Sequence, residues 1–256
     1  HELSQPEQIQ ALYILKGGAG CGKSSLMKRV GRHAQAMELE TVEVPCSGDP
    51  GSLDALILPR LGAAIVDGTA PHVVEAKCPG AVDQYIDLSQ FYRREELQPL
   101  KADLLAATRT YQGHYKRVYR CLGAAGALRQ DLCEWAAAPA VLQKLAKRAR
   151  GVLLREFGRK KGSAPGRARQ RFLGAMTHLG PLCLYDTALA QCGRVYELAD
   201  RYGLAHEFLS PLLTGALAAG WDAVVCPDPM APDRLAHLLF PGKGLAFLSS
   251  SPALPF

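Results

Sequence analysis

Residues 17–24 constrain this chain more than any other segment. They read Gly-Gly-Ala-Gly-Cys-Gly-Lys-Ser, which fits the pattern G-x-x-x-x-G-K-[ST]. Residues 11–15 before the motif form an apolar run rich in strand formers, and apolar residues recur at helical spacing from 23 to about 37. A strand that runs through a glycine loop into a helix is typical of a phosphate-binding loop. We therefore predict a nucleotide site here.

The parts of this loop have different chemical roles. Glycines let consecutive backbone N–H groups turn toward a phosphate, and the positive end of the following helix dipole faces the same place. The Lys23 ammonium is suited to the β and γ phosphates, and the Ser24 hydroxyl is suited to Mg²⁺. The predicted ATP-binding residues are Gly17, Gly18, Ala19, Gly20, Cys21, Gly22, Lys23, Ser24 and Ser25.

A second magnesium ligand is predicted at Asp67, which ends the apolar strand pattern at residues 62–66. Many ATPases carry a glutamate directly after this acid, but Gly68 follows here. GTPases carry D-x-x-G, but position 70 is Ala, and no N-K-x-D motif for guanine is present. The pattern therefore favours ATP over GTP by elimination.

The water-activating group is less well defined by the sequence. Thr69 and His72 follow Asp67 closely enough to sense a γ-phosphate, although a residue after proline also fits an ordinary turn. Glu43, on the second predicted strand, could orient water or could simply end that strand in solvent. The predicted catalytic set is Lys23, Asp67, His72 and Glu43, with Ser24 and Asp67 as metal ligands.

The order of elements predicts an α/β fold with a parallel P-loop NTPase sheet flanked by helices. Strands are expected at 11–15, 41–44 and 62–67, and a short helix or turn at 52–58. Residues 91–157 have helical periodicity, with breaks expected at 123–126 and at Pro139. We expect a nucleotide-binding half at 1–90, a basic helical insertion with its connector at 91–166, and a second α/β half at 167–256.

The second half resembles the first at an offset of 182 to 183 residues. Residues 12–15 align with 195–198, and 53–66 align with 235–248, which predicts an internal duplication. The phosphate-binding residues are replaced in the second half. The positions that match Gly17, Gly22, Lys23 and Ser24 are Asp200, Ala205, His206 and Glu207, and Ser249 matches Asp67. The acids would repel phosphate, so we expect a degenerate P-loop-like half without a nucleotide. The counterpart of residues 172–184 would lie at or before residue 1, so we also expect the first repeat to lack its opening.

The charge distribution suggests a second kind of partner. The net charge is +6, but residues 91–162 carry sixteen Lys and Arg against six Asp and Glu. An anionic partner, either nucleic acid or an acidic protein, is expected at this basic helical region unless the charges only keep it solvated. Three tyrosines recur at four-residue spacing beside the cations: Tyr111, Tyr115 and Tyr119 with Lys116, Arg117 and Arg120.

Several classes of protein are disfavoured. Composition is 48% apolar, which disfavours a disordered chain. The longest uncharged run, residues 208–221, is shorter than the roughly 20 residues that a spanning helix needs, so no membrane partner is expected. The eight cysteines lack disulfide-scaffold or zinc spacing, which favours reduced thiols and a cytoplasmic location.

The strings LYILKGGAGCGKSSLMKRVG, SGDPGSLDALILPRLGAAIVDGTAPHVVEAKCPGAVDQYIDL and RFLGAMTHLG resemble a bacterial family of tandem P-loop ATPases. The resemblance covers nearly the whole chain and is most specific at DGTAPH, residues 67–72. It implies ATP binding at residues 17–25 and a magnesium acid at Asp67. Members generally carry a phosphate loop in each half, so the single motif here puts a two-site cycle in doubt.

We expect an ATP-binding protein that acts as a slow Mg-dependent ATPase with one intact site. One alternative is a small-molecule kinase, for which Arg93, Arg94 and Arg109 are available as catalytic cations. The other alternative is a nucleic-acid-binding protein switched by ATP.

Overall fold

Two compact units make up the chain, His1–Tyr111 and Gln112–Phe256. The computed structural model describes residues 9–70, 73–158 and 164–256. Each unit contains a mixed five-stranded sheet flanked by helices. The predicted α/β class is therefore confirmed at this level.

The first unit contains five strands and the helix that follows the glycine loop. Its elements are β1 (Ala11–Lys16), α1 (Lys23–Ala36), β2 (Val42–Pro45), β3 (Leu53–Leu58), β4 (Ala63–Asp67), β5 (Asp83–Asp87) and α2 (Arg94–Leu97), with 3₁₀ turns at Pro59–Leu61 and Leu88–Phe91. The strand order is β2-β3-β4-β1-β5. Strand β1 lies parallel to β4 and β5, whereas β3 is antiparallel to both of its neighbours.

The prediction of a fully parallel sheet is wrong, and so is the short helix or turn at residues 52–58. That segment is β3, and five of its six residues are buried. Only the turn Pro59–Leu61 and Gly62 connect β3 to β4. A parallel connection needs a crossover of about a dozen residues or more, so such a short link forces the two strands to run antiparallel.

The first unit has two apolar layers, one on each face of its sheet. Helix α1 covers one face through Met27, which is fully buried with Leu15 and Leu56. On the other face, Ile14 and Val66 are buried beside the segment that contains Val74. Both faces are covered, and ligands of such sheets usually bind beyond the carboxyl ends of the parallel strands, which here are β1, β4 and β5.

The helical segment contains two long helices, α3 (Lys101–Ala136) and α4 (Pro139–Glu156). The prediction of two or three helices is confirmed, and Pro139 begins α4 as expected. The break predicted at 123–126 is wrong because α3 continues through it. A glycine inside a helix costs only about 1 kcal/mol relative to alanine, which the rest of a 36-residue helix tolerates.

The second unit contains most of the remaining elements around its own sheet. They are β6 (Ala168–Gln170), β7 (Gly174–Thr177), β8 (Gly180–Cys183), α5 (Tyr185–Gln191), β9 (Arg194–Ala199), α6 (Ala205–Ala218), β10 (Ala223–Asp228), β11 (Ala231–Phe240) and β12 (Leu245–Ser250). The sheet order is β6-β10-β11-β12-β9, and β7 pairs with β8 separately. Helices α4 and α6 pack on one face around Phe208, Phe240 and Phe247, while Cys226 and Leu248 are buried on the other.

Four strands of the two sheets share order and direction. The run β10-β11-β12-β9 repeats the antiparallel, antiparallel and parallel pairings of β2-β3-β4-β1. A 3₁₀ turn also joins the second and third strands of each run, β3 to β4 and β11 to β12, and it ends at a left-handed glycine, Gly62 with φ 57° or Gly244 with φ 59°. These glycines are 182 positions apart, the offset of the sequence alignment.

Candidate phosphate-binding site

The glycine loop joins the end of β1 to the start of α1. Gly20 and Gly22 have φ values of 76° and 88°, a region that side chains disfavour, so the loop depends on glycine there. Helix α1 has no side-chain cap, and its first backbone hydrogen bond runs from Leu26 N to Gly22 O. Amides in the first turn of a helix lack acceptors within the helix, and such a turn attracts anions.

Lys23 lies inside this loop and is only 10% exposed. Its Nζ donates to the carbonyl oxygens of Gly17 at 2.9 Å and Gly18 at 2.8 Å. The same ammonium lies 3.7 Å from Cys21 Sγ. The positive charge of Lys23 therefore lies at the loop, where a bound phosphate would contact the ammonium.

Asp67 is the carboxylate that reaches Lys23. It ends β4 opposite Leu15 of β1, and its Oδ2 lies 3.5 Å from Lys23 Nζ. The other oxygen, Oδ1, accepts hydrogen bonds from Thr69 N at 2.9 Å and Thr69 Oγ1 at 2.6 Å. The structure thus brings together two of the predicted site residues, and Thr69 orients the acid.

Ser24 and Ser25 occupy the first turn of α1. Ser24 Oγ accepts a hydrogen bond from Leu53 N at 2.9 Å, which ties α1 to the first residue of β3. Ser25 lies on the exposed side of the helix, at the edge of a shallow cleft that also contains Arg29 and Glu43.

Glu43 is not beside the lysine–aspartate pair. It lies on β2, which β3 separates from β4, and its register partner on β3 is Leu56 rather than a residue at the strand end. Its Oε1 is 3.4 Å from the position that a Cβ would take at Gly31 of α1. Glu43 therefore lies against the side of α1. His72, the remaining predicted catalytic residue, lies outside the described residues.

Gly68 has no space for a side chain. A Cβ at this position would lie 2.4 Å from Cγ2 of Ile14 and 3.3 Å from the carbonyl oxygen of Val74. The glutamate that follows the magnesium acid in many ATPases would not fit without displacing β1. The sequence has glycine at position 68, where many ATPases have glutamate, and the close packing against Ile14 of β1 explains why.

Lys16 was not among the predicted site residues, and its side chain contacts Gly68, Val74 and Glu75. Its Nζ donates to Gly68 O at 2.9 Å, to Val74 O at 3.0 Å and to Glu75 Oε1 at 3.2 Å. The Tyr85 hydroxyl donates to Glu75 Oε2 at 2.7 Å, and this bond, followed by the Lys16 contact, lowers the pKa of Glu75. A lysine that ends a strand directly before a glycine loop was the available signal.

Tyr92 was also missed. Its hydroxyl accepts a hydrogen bond from Gly18 N, and burial at the loop together with a contact to Cys21 raises the pKa of the tyrosine. Residues 83–87 were not predicted as a strand, because Tyr85 and Ile86 are their only apolar residues and they do not alternate with polar ones. As β5 they run parallel to β1, which brings the residues that follow them to the loop.

In the second unit an acid takes the position that an anion would occupy. Asp200 accepts hydrogen bonds from Leu204 N and Ala205 N, both at 2.8 Å, at the beginning of α6. Arg234 Nη2 donates hydrogen bonds to two oxygens of the same turn, Gly203 O at 3.1 Å and Glu207 Oε1 at 3.2 Å. The first amides of α6 are therefore already paired within the chain.

Two of the three arginines proposed for a kinase lid, Arg93 and Arg109, are engaged within the helical segment. Arg93 pairs with Glu96 at 2.7 Å, and Arg109 donates from Nε to Leu105 O of its own helix. Neither contact aims a guanidinium at the phosphate loop.

No protein-family model, curated protein or solved structure matches this chain. Among the described residues, no helix is both long enough and apolar enough to cross a membrane. The same residues contain no group of three or more His, Cys, Asp and Glu side chains arranged to hold a metal ion.

Proposed function

We propose that this chain binds ATP with Mg²⁺ at residues 17–25 and hydrolyses it slowly. The observation that carries the proposal is the contact of Lys23 with Asp67 across a glycine loop at the start of α1. A glycine turn with a solvated lysine would have neither a mostly buried ammonium nor a carboxylate opposite it. The combination places positive charge, the amides at the start of α1 and a carboxylate oxygen at the carboxyl ends of β1 and β4.

The donor set fits magnesium rather than a softer metal. Mg²⁺ prefers oxygen ligands and is commonly held by one or two carboxylates together with substrate phosphates. Asp67 would supply the carboxylate and Ser24 a hydroxyl oxygen that accepts one hydrogen bond from Leu53 N. When bound, the metal ion would neutralise charge on the phosphate oxygens.

The residues of the chain would act through position and charge. Lys23 would exchange the carbonyls of Gly17 and Gly18 for phosphate oxygens, and the first-turn amides of α1 would bind the same anion. We expect turnover to be slow because Gly68 replaces the usual glutamate and Glu43 lies two strands away from Asp67.

Mg-ATP binding and phosphate release test the proposal when the chain is compared with Lys23→Ala. Lys28→Ala is the matched control, because Lys28 lies on the same helix but bonds Gly51 O instead of the loop. Loss of binding and turnover in Lys23→Ala alone is the expected result. Equal behaviour of the two variants, or no binding by the unaltered chain, would contradict it.

We propose a second function for α3, in which it binds single-stranded nucleic acid. Five cations and no acid occur from residue 104 to residue 130. Lys116, Arg117 and Arg120 make no ion pair among the described residues, and Tyr119 next to them is 59% exposed. Cations beside exposed aromatic rings suit a phosphate backbone and unstacked bases.

Salt dependence of RNA or DNA affinity tests this second function. Replacing Lys116, Arg117 and Arg120 by Gln should reduce the magnitude of the negative slope of log K against log salt by about 2, since each phosphate contact contributes about 0.7 for single strands. The matched control replaces three exposed cations of α4, Lys144, Lys147 and Arg148. Equal loss in both triple variants would indicate a general charge effect and would contradict a site on α3.

A further inference from the structure

The segment after β5 returns to the glycine loop. Strand β5 pairs with β1 so that Asp87 lies opposite Lys16, the last residue before the loop. Asp87 Oδ1 accepts a hydrogen bond from Ser89 N at 2.8 Å, which fixes the turn Leu88–Phe91. Tyr92 directly follows this turn, so its position depends on the sheet and on the Asp87 cap.

The turn and Tyr92 both lie close against the loop. A Cβ at Gly17 would lie 3.4 Å from Leu88 Cβ and 2.7 Å from Cys21 Sγ. A Cβ at Gly18 would lie 2.8 Å from the Tyr92 hydroxyl oxygen. The two glycines at the start of the loop therefore make room for this neighbouring segment as well as for the turn itself.

The Gly18 residue is held on both sides. Its N–H donates to the Tyr92 hydroxyl, and its carbonyl accepts a hydrogen bond from Lys23 Nζ. Under the proposed function, Lys23 leaves that carbonyl for a phosphate. The Tyr92 bond then remains as the contact that holds Gly18, and it does not compete with the amides at the start of α1.

We propose that Tyr92 is a positioning residue of the phosphate loop. Its hydroxyl binds Gly18 N and contacts Cys21, so that the loop keeps one conformation while Lys23 exchanges partners. The proposal rests on the proposed ATP site and assigns that site a residue outside its sequence motif. It also makes the segment from Leu88 to Tyr92 part of the nucleotide site.

Binding of Mg-ATP to Tyr92→Phe tests the positioning role. Loss of one hydrogen bond that orders the loop should raise the Kd about three- to tenfold. The matched control is Tyr196→Phe, which removes a hydroxyl bonded to Glu156 in the second unit and should leave the Kd within about twofold. An unchanged Kd in Tyr92→Phe, beside tight binding by the unaltered chain, would overturn the proposal and leave the ATP site standing.

Reactivity of the Cys21 thiol provides a readout that does not require nucleotide. The rate of Cys21 alkylation is measured by peptide mass spectrometry against exposed Cys78 in the same unit. Tyr92→Phe should raise the Cys21 to Cys78 rate ratio several-fold, because the thiol loses its contact with the hydroxyl and the loop loses the hydrogen bond that holds Gly18. An unchanged rate ratio would contradict the proposal that Tyr92 orders the loop. Absence of nucleotide binding in the unaltered chain would instead overturn the ATP site.

Discussion

Lys23 Nζ lies 3.5 Å from Asp67 Oδ2, and the two side chains are 10% and 23% exposed. The contact joins the first residue of α1 to the last residue of β4, 44 positions later in the chain. Strands β4 and β1 are parallel neighbours, so their carboxyl ends meet at the loop. An acid at the end of β4 is therefore placed by the sheet and does not depend on a flexible loop.

Asp67→Asn should weaken binding of Mg-ATP by tenfold or more and leave binding of metal-free ATP much less affected. The amide retains the shape and one oxygen but loses the charge that a metal ion requires. Calorimetric titrations with and without Mg²⁺ measure the difference. Asp54→Asn on β3 is the control. If Asp67→Asn lowers ATP affinity equally with and without Mg²⁺, a metal role for Asp67 is contradicted.

Glu43→Gln should leave phosphate release unchanged within about twofold, because its carboxylate lies against α1 and not at the strand ends. Steady-state turnover at saturating Mg-ATP measures the effect. A fall of a hundredfold or more, in the range expected for loss of a general base, would show that Glu43 reaches the phosphate site in a conformation different from this one.

Local patterns predicted the parts of the fold that depend on neighbouring residues. The apolar run at β1, the glycines and the helical spacing of α1 lie within 26 consecutive residues, and all were identified with errors of a residue or two. The position of Asp67 at the end of a strand beside the glycine loop was predicted because it ends a short apolar run. Each of these signals arises from one element and its immediate ends.

The parts of the fold and of the site that were not predicted depend on pairings between segments far apart in the sequence. Residues 52–58 have apolar spacing that suits either a helix or a strand, and only the short link to β4 decides for β3. Tyr92 reaches Gly18 across 74 positions because β5 pairs with β1, and β5 has too few apolar residues to be recognised alone. Long-range partners of this kind leave no periodic trace in a single sequence.

Asp200→Ala should lower the free energy of unfolding of the second unit by about 1–2 kcal/mol, the usual loss for a helix cap. Asp200 is the acceptor for two amides at the start of α6, and alanine leaves both without a partner. Urea unfolding followed by circular dichroism measures the change. Asp233→Ala on β11 is the control. Equal stability of the two variants would contradict a capping role for Asp200.

The stability of the second unit should fall as the pH is lowered from about 6.5 to 4, with His237 as a principal cause. This residue is 6% exposed, and its Nδ1 accepts a hydrogen bond from Ser249 N at 3.1 Å, which favours the neutral ring. Burial lowers the pKa of His237 to about 4, although the charge of Asp228 acts in the opposite direction. Cys183 Sγ lies 3.7 Å from its Nε2.

Because the unfolded chain binds a proton near pH 6.5 and the folded chain near pH 4, the contribution of His237 is complete above pH 6.5 and is lost as the pH falls through this window. The full loss amounts to about 3 kcal/mol, of which about 2 kcal/mol is lost by pH 5. Urea unfolding at pH 7 and pH 5 should therefore show a smaller difference for His237→Gln than for the unaltered chain. His114→Gln, at an exposed position of α3, should retain the full difference, and an equal pH effect in both variants would show that other groups cause it.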